Sequence, residues 1–164
     1  MAANVLGWIG KVLRTGRVWD RVDESVEPTA KTPAGLRGSV QIRHIDAGSC
    51  NGCEVEISGV FGPVYDGERF GARLVASPRH ADALLVTGVV TRNMAEPLRN
   101  TVEATPQPRV VIACGDCALN RGVFKDAYGV VGAVNDVVPV EVGIPGCPPT
   151  PTDIIAALRS VTGT

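Results

Sequence analysis

The chain has 164 residues, a length that suits one domain better than two. Hydrophobic residues make up 45% and charged residues 20%, which excludes a disordered chain, and no run reaches the roughly 18 apolar residues of a membrane span. Sixteen basic and seventeen acidic residues leave a net charge of -1, so the composition predicts no nucleic-acid surface.

Residues 4–19 place apolar side chains on one stripe, which predicts an amphipathic helix with a basic side. The stripe consists of Val5, Trp8, Ile9, Val12 and Leu13. Such a helix packs on its own domain or a neighbour, or lies at a membrane surface, and the pattern leaves both open. Residues 20–36 are polar and contain Pro28 and Pro33, which is typical of a linker. We therefore predict an N-terminal helix and linker over 1–36 and a single α/β domain over 37–164.

Apolar runs in the second region predict five strands, and several runs are continuous, as in strands buried on both faces of a parallel sheet. The runs lie at 39–45, 73–76, 83–90, 109–113 and 137–142. Helices are predicted at 54–61, 92–104 and 152–161, with Asn93 and Thr152 as the expected N-caps of the last two. The alternation of strands and helices predicts a three-layer α/β domain with a mainly parallel sheet.

The five cysteines follow predicted strands. They are Cys50, Cys53, Cys114, Cys117 and Cys147. Ligands of open α/β sheets bind outside the carboxyl ends of the strands, so three loops can converge on one site. An odd number does not suit a closed disulfide framework. No signal-peptide pattern is present, so we expect a reducing cytoplasm, where clustered cysteines bind metal or do redox chemistry.

Two interpretations of a metal site follow from the spacing. Two C-x₂-C pairs could place Cys50, Cys53, Cys114 and Cys117 on one structural zinc ion. The alternative uses Cys147, which Pro148 follows as in iron–sulfur ligand loops, where proline stiffens the backbone. A 4Fe–4S cluster takes four thiolates and would leave one cysteine spare. No G-x-G-x-x-G or G-x-x-x-x-G-K-[ST] motif is present, so no nucleotide cofactor is predicted.

Four motifs carry a family resemblance: CNGCEVE at 50–56, SPRHAD at 77–82, GDC at 115–117 and PGCPP at 145–149. Together they resemble the cluster-bearing small subunit shared by respiratory complex I and membrane-bound nickel–iron hydrogenases. The resemblance covers about residues 39–160 and implies a flavodoxin-like domain that holds one 4Fe–4S cluster. The ligands that it implies are Cys50, Cys53, Cys117 and Cys147. Cys114 aligns with a position that is usually not cysteine, so we expect a buried thiol at a strand end, with a ligand swap or redox side chemistry left open.

The separation of Cys50 from Cys53 by two residues resembles energy-converting, formate hydrogenlyase-type hydrogenases, whereas complex I subunits carry adjacent cysteines. The resemblance implies an electron-transfer subunit of an oxidoreductase complex that is not catalytic alone. The implied partners are a large catalytic subunit, a ferredoxin-like iron–sulfur subunit and membrane-arm subunits, and the implied location is peripheral, on the cytoplasmic face of the inner membrane. The alternatives are the corresponding cluster-bearing subunit of a complex I-like NADH–quinone oxidoreductase, which passes electrons to quinone, and a structural zinc protein.

Other residues are expected to surround the cluster without binding it: Gly52, Glu54, Arg79, His80 and Pro148. Glu54 and Glu56 are either first-turn acids that favour the helix dipole or part of a proton route, for which Glu56 is the better candidate. Arg79 and His80 either form a structural turn, in which Asp82 pairs with Arg79, or tune the cluster electrostatically. Asp46 is expected to cap the first cysteine loop, and His44 to be a packed side chain rather than a ligand.

Overall fold

The computed structural model describes Leu36 and residues 38–163, so nearly all of the predicted N-terminal helix and linker lies outside the described residues. The strands of the described part are β1 (Val40–Asp46), β2 (Ala72–Leu74), β3 (Ala83–Thr87), β4 (Val90–Thr91), β5 (Val110–Cys114), β6 (Val130–Gly132) and β7 (Val142–Ile144). Its α-helices are α1 (Gly52–Val60), α2 (Arg92–Ala104), α3 (Asp116–Asn120) and α4 (Pro151–Thr162).

Five of these strands form one parallel sheet in the order β2-β1-β3-β5-β7. Counted along the sheet's own strands this is 2-1-3-4-5, the flavodoxin-like order. In the register of the sheet, Thr87 on β3 lies opposite Asp46 on β1 and Cys114 on β5. The carboxyl ends of the central strands therefore meet at one edge, and the three cysteine loops leave the sheet from that edge.

Two apolar cores cover the two faces of the sheet. Ile57 of α1 and Ile154 of α4 are buried on one face, and Leu98 of α2 is buried on the other. β3 and β5 are buried along their whole length, because their side chains are short or aliphatic on both faces. The predicted three-layer α/β arrangement with a mainly parallel sheet is confirmed.

The apolar run at 83–90 does not form one strand. β3 ends at Thr87, and Gly88 turns the chain with a φ of 76°, a left-handed conformation that glycine adopts without strain. Residues 90 and 91 form β4, which pairs antiparallel with β6 in a separate two-stranded sheet. This small sheet lies beside the first cysteine loop, since a Cβ built on Gly48 would come within 2.5 Å of the Thr91 side chain.

The strand predicted over 137–142 is wrong for most of its length. Val134–Asp136 form a short 3₁₀ turn, and β7 begins only at Val142. Pro139 interrupts the apolar run and has no backbone N–H to donate to a neighbouring strand. The apolar character of the run instead reflects packing, since Val138 is buried in the core beside α2.

The predicted helices are present, but both expected N-caps are wrong. The helix predicted over 92–104 has those bounds, whereas α1 and α4 begin earlier than predicted. Thr91 precedes α2, and Asn93 lies inside it. Thr150 caps α4, because the proline that follows occupies the first helical position and Thr152 comes after it. Within the described residues, every helix is too short or too polar to cross a membrane.

Replacing Thr150 by alanine should lower the free energy of unfolding by about 1 kcal/mol. The Thr150 hydroxyl accepts a hydrogen bond from the Asp153 N–H, and the Asp153 carboxylate accepts one from the Thr150 N–H at 3.1 Å. Denaturant unfolding of Thr150→Ala measures the loss of this capping box. Ser58→Ala, at an exposed position of α1, is the control and should cost less than about 0.5 kcal/mol; equal losses would assign no special role to Thr150.

Candidate metal centre

The first cysteine loop is held by the carboxylate that ends β1. Asp46 Oδ1 accepts hydrogen bonds from the N–H groups of Gly48 at 2.8 Å and Ser49 at 2.7 Å, as the sequence predicts for a loop cap. Asn51, at a left-handed φ of 71°, then leads into α1. The turn places Cys50 on the surface and Cys53 in the buried first turn of the helix. Thiolates are favoured at such a helix N-terminus.

The second and third loops are tied to each other. The Gly115 N–H donates to the Ile144 carbonyl at 2.7 Å, and the Asp116 N–H donates to the Gly146 carbonyl at 2.8 Å. The Asp116 carboxylate in turn accepts a bond from the Gly146 N–H at 2.8 Å. These reciprocal bonds fix the loop that carries Cys117 against the loop that carries Cys147.

The structure brings the four cysteines of the predicted cluster into one neighbourhood. Burial and the nearby thiolates of Cys147, Cys50 and Cys53 raise the pKa of Cys117. Cys53 and Cys117 are buried, whereas Cys50 and Cys147 are exposed, so the four cysteines extend from the core to the surface. Four thiolates in one neighbourhood would repel one another unless a cation lay between them, and metal coordination deprotonates a thiol outright.

The donor set fits an iron–sulfur cluster. Cysteine thiolates are the donors that iron–sulfur clusters take. Among the residues that the structure describes, no group of three or more His, Cys, Asp or Glu side chains is arranged to hold a metal ion. Gly52 and Pro148, which the sequence predicts beside the cluster, do meet there: a Cβ built on Gly52 would lie 3.6 Å from Cys50 Sγ and 3.9 Å from Pro148 Cβ.

Cys114 is the last residue of β5 and has no solvent exposure, so it is the buried strand-end thiol that the sequence predicts. It belongs to the same apolar core as Cys53. The sequence pairs Cys114 with Cys117 in a C-x₂-C spacing, whereas the fold also buries Cys114 in the core that contains the start of α1.

Glu54 is not a surface acid. Its side chain is 16% exposed, and the buried hydroxyl of Thr87 donates a short hydrogen bond to its Oε1. His44 Nε2 lies 3.0 Å from the Thr87 hydroxyl and 3.5 Å from Glu54 Oε1. The other carboxylate oxygen, Oε2, is buried without a hydrogen-bond partner among the described residues. Glu56 is half-buried, and its proton-transfer role stays a prediction.

This polar network of His44, Thr87 and Glu54 could not be found from sequence spacing, because its members lie on β1, β3 and α1. His44 is a packed side chain, as expected, but it also contacts the Thr87 hydroxyl and the Glu54 carboxylate. The signal for Thr87 is its position as the last residue of a fully buried strand, where a polar side chain needs a partner. The network places an acid and an imidazole directly behind the cysteine turn of α1.

Arg79 and His80 lie at the edge of the sheet opposite the cysteine loops. They are exposed and belong to a short 3₁₀ turn, Pro78–His80, which precedes β3. All five strands run parallel, so this turn is at the amino edge of the sheet, and the cysteine loops are at the carboxyl edge. The Asp82 carboxylate accepts a bond from the Gln41 N–H at 2.9 Å rather than pairing with Arg79. The structure does not bring Arg79 and His80 to the cysteines.

The stability of the fold should decrease as the pH falls through about 6.5, the pKa of an unfolded histidine. Burial lowers the pKa of His44 in the fold, although Glu54 opposes this. The unfolded chain therefore binds more protons than the folded chain, and stability rises with pH across this window. Denaturant unfolding at about pH 5.5 and pH 7.5 measures the slope, which His44→Gln should reduce. His80→Gln removes an exposed imidazole and is the control; equal slopes in wild type and His44→Gln would contradict the expectation.

Residues 50–161 match the family described as NADH ubiquinone oxidoreductase, 20 Kd subunit. The chain is 46% identical over 131 residues to formate hydrogenlyase subunit 7 of Escherichia coli (strain K12), covering 79% of this chain and 51% of that protein. It is 47% identical over 112 residues to the probable membrane-bound hydrogenase subunit mbhJ of Pyrococcus furiosus, covering 68% of this chain and 67% of that one. The chain thus spans about half the length of formate hydrogenlyase subunit 7.

Two solved structures share the fold of this chain. A chain of the membrane-bound sulfane sulfur reductase, an archaeal respiratory membrane complex, superposes with a TM-score of 0.69 at 32% identity, covering 79% of this chain and 72% of that one. A chain of an NAD⁺-reducing [NiFe]-hydrogenase superposes with a TM-score of 0.55 at 20% identity, covering 70% of this chain and 85% of that one. The second likeness is one of fold alone.

Proposed function

The chain belongs to the NADH ubiquinone oxidoreductase 20 kDa subunit family, and we propose that it relays electrons through one 4Fe–4S cluster held by Cys50, Cys53, Cys117 and Cys147. Its relatives are subunits of hydrogenase and oxidoreductase complexes, so the chain is an oxidoreductase subunit. The observation that supports the proposal is that the three loops carrying these cysteines leave the sheet at one edge, where hydrogen bonds join the second loop to the third.

The chain's own residues hold the cluster and limit the access of water to it. The bound cluster supplies a one-electron couple. Cys53 and Cys117 anchor the inner side of the site in the core, while Cys50 and Cys147 hold its outer side at the surface. The carboxylates of Asp46 and Asp116 accept hydrogen bonds from loop N–H groups and so would keep the ligand loops in place. Loops held in this way would favour electron transfer across the exposed side.

We place the exposed side of the site against the large catalytic subunit of a hydrogenase-like complex, with electrons arriving from or leaving to a ferredoxin-like iron–sulfur subunit. The names of the two curated relatives, a formate hydrogenlyase subunit and a probable membrane-bound hydrogenase subunit, support hydrogen over quinone as the reactant of the complex. Membrane-arm subunits would hold the assembly, with this chain peripheral on the cytoplasmic face of the inner membrane.

A second candidate function is that of the cluster-bearing subunit in a complex I-like NADH–quinone oxidoreductase, which the description of the matched family favours. The two candidates differ in the reaction of the purified complex. Hydrogen-dependent reduction of a viologen dye supports the hydrogenase assignment. Reduction of a quinone by NADH without any hydrogen activity supports the second candidate and overturns the first.

Anaerobic purification of the full chain tests the relay itself. We expect a brown protein with about four irons and four acid-labile sulfides per chain, and an electron paramagnetic resonance signal on reduction that integrates to about one spin. A colourless protein that carries one zinc ion and no labile sulfide would replace the relay by the structural zinc interpretation.

A further inference from the structure

Thr87 ends β3 and is hydrogen-bonded to both sides of the first cysteine loop. It is completely buried at the carboxyl edge of the sheet. Its carbonyl oxygen accepts a hydrogen bond from the Ala47 N–H at 3.0 Å, just before the loop begins. Its hydroxyl donates to the carboxylate of Glu54, the residue that follows Cys53 in α1. One residue of the sheet therefore holds the two ends of the segment that carries Cys50 and Cys53.

The donors and acceptors around the Thr87 hydroxyl follow from its single proton. A carboxylate oxygen accepts, so the proton of Thr87 points to Glu54 Oε1, and the Ile45 carbonyl at 3.4 Å lies beyond the usual range of such a bond. His44 Nε2, 3.0 Å from the Thr87 oxygen, is then the donor to it. The hydrogen bonds run in one direction, from His44 through Thr87 to Glu54, and end on the first turn of α1.

The bond from Thr87 joins the sheet to the part of α1 that has the least apolar anchorage. Besides Cys53, the buried residues of the helix are Ile57 and Val60, which lie later in it, and Val55 in the first turn is 62% exposed. The Thr87 hydroxyl is buried, and a hydrogen bond in such surroundings is screened little by water. This bond therefore fixes the turn from which Cys53 reaches the site.

We propose that Thr87 is a positioning residue for the cluster: through Glu54 it holds the turn that presents Cys53, and so it sets how firmly the cluster is retained. The inference rests on the proposed function. Side chains that hold metal ligands in place contribute about 10- to 100-fold to metal affinity. A turn that moves more freely would release its thiolate more often, so the loss of the Thr87 hydroxyl should appear as faster loss of iron.

The rate at which an iron chelator bleaches the anaerobically purified full chain tests the inference. Thr87→Val keeps the branched shape of the side chain but removes the hydroxyl. It should bind about four irons when purified and lose them about tenfold faster than the wild type. Thr87→Ser keeps the hydroxyl and should bleach within about twofold of the wild-type rate. Equal rates in the wild type and Thr87→Val overturn the inference and leave the relay intact.

Thr105→Val is the structural control. Thr105 is also buried, and its hydroxyl donates to the Thr101 carbonyl at 2.9 Å. It follows α2 and precedes β5, at the amino edge of the sheet, so the same substitution there removes a buried hydrogen bond away from the cysteine loops. Its iron should leave at the wild-type rate. Bleaching as fast as in Thr87→Val would attribute the effect to general instability and overturn the inference.

Glu54→Ala tests whether Thr87 acts through Glu54, and it carries the test alone if Thr87→Val does not fold. It removes the acceptor and should also bleach about tenfold faster than the wild type. The double variant should bleach no faster than the more affected single variant, because both changes break the same bond. A wild-type rate in Glu54→Ala, or effects that multiply in the double variant, overturn the inference. A wild-type protein without labile sulfide overturns the relay and the inference together.

Discussion

Replacing Cys147 by serine should remove most of the bound iron, from about four per chain to less than about one, while the fold persists. Cys147 is exposed and contributes nothing to either apolar core, so its loss should not unfold the domain. A serine hydroxyl is a much poorer ligand than a thiolate for iron–sulfur clusters, which select soft donors. Iron and labile-sulfide assays after anaerobic purification measure the loss, and thermal unfolding followed by circular dichroism measures the fold.

Cys114→Ser provides the matched control, because it makes the same chemical change at the cysteine that the proposed ligand set leaves out. The control should stay brown and keep its iron, although its site is the more deeply buried of the two. The reverse result, in which Cys147→Ser keeps a full cluster and Cys114→Ser loses it, would exchange the two residues in the ligand set. A single zinc ion in both variants would favour the zinc interpretation.

The elements that could be predicted from sequence are those with a strong local pattern. β3 and β5 lie within runs of aliphatic residues flanked by turn signals, and α2 combines an apolar stripe with a polar face. The prediction of a strand at 137–142 is wrong because apolar character alone does not distinguish a strand from a buried turn. Pro139 inside that run was the local signal against a strand.

Some features of the cysteine site could likewise be predicted from the sequence, and others could not. The convergence of the cysteine loops follows from a general rule of parallel sheets, so it could be predicted once the strands were placed. The network around Thr87 depends on the order and register of strands far apart in the chain. The position of Arg79 follows from the direction of β3, which puts its turn at the opposite edge of the sheet from the cysteines.

Replacing Gly115 by alanine should damage both the fold and the site. Gly115 has a φ of 91°, where a side chain is strained, and its Cβ would lie 2.7 Å from Cys53 Sγ and 3.4 Å from the Gly146 carbonyl oxygen. Strain of about 1–2 kcal/mol and overpacking of about 1–3 kcal/mol should together lower the free energy of unfolding by about 2–5 kcal/mol. The Cys53 sulfur must also move, so iron content should fall by more than about half.

Gly129→Ala separates the geometry of Gly115 from a general intolerance of the fold to alanine. A Cβ on Gly129 would meet no atom within 4 Å, and its φ is not in the left-handed region, so the change should be neutral within about 0.5 kcal/mol. Denaturant unfolding and iron assays on the two variants give the comparison. If Gly115→Ala kept full stability and full iron, the Cys53 sulfur could not rest on the end of β5.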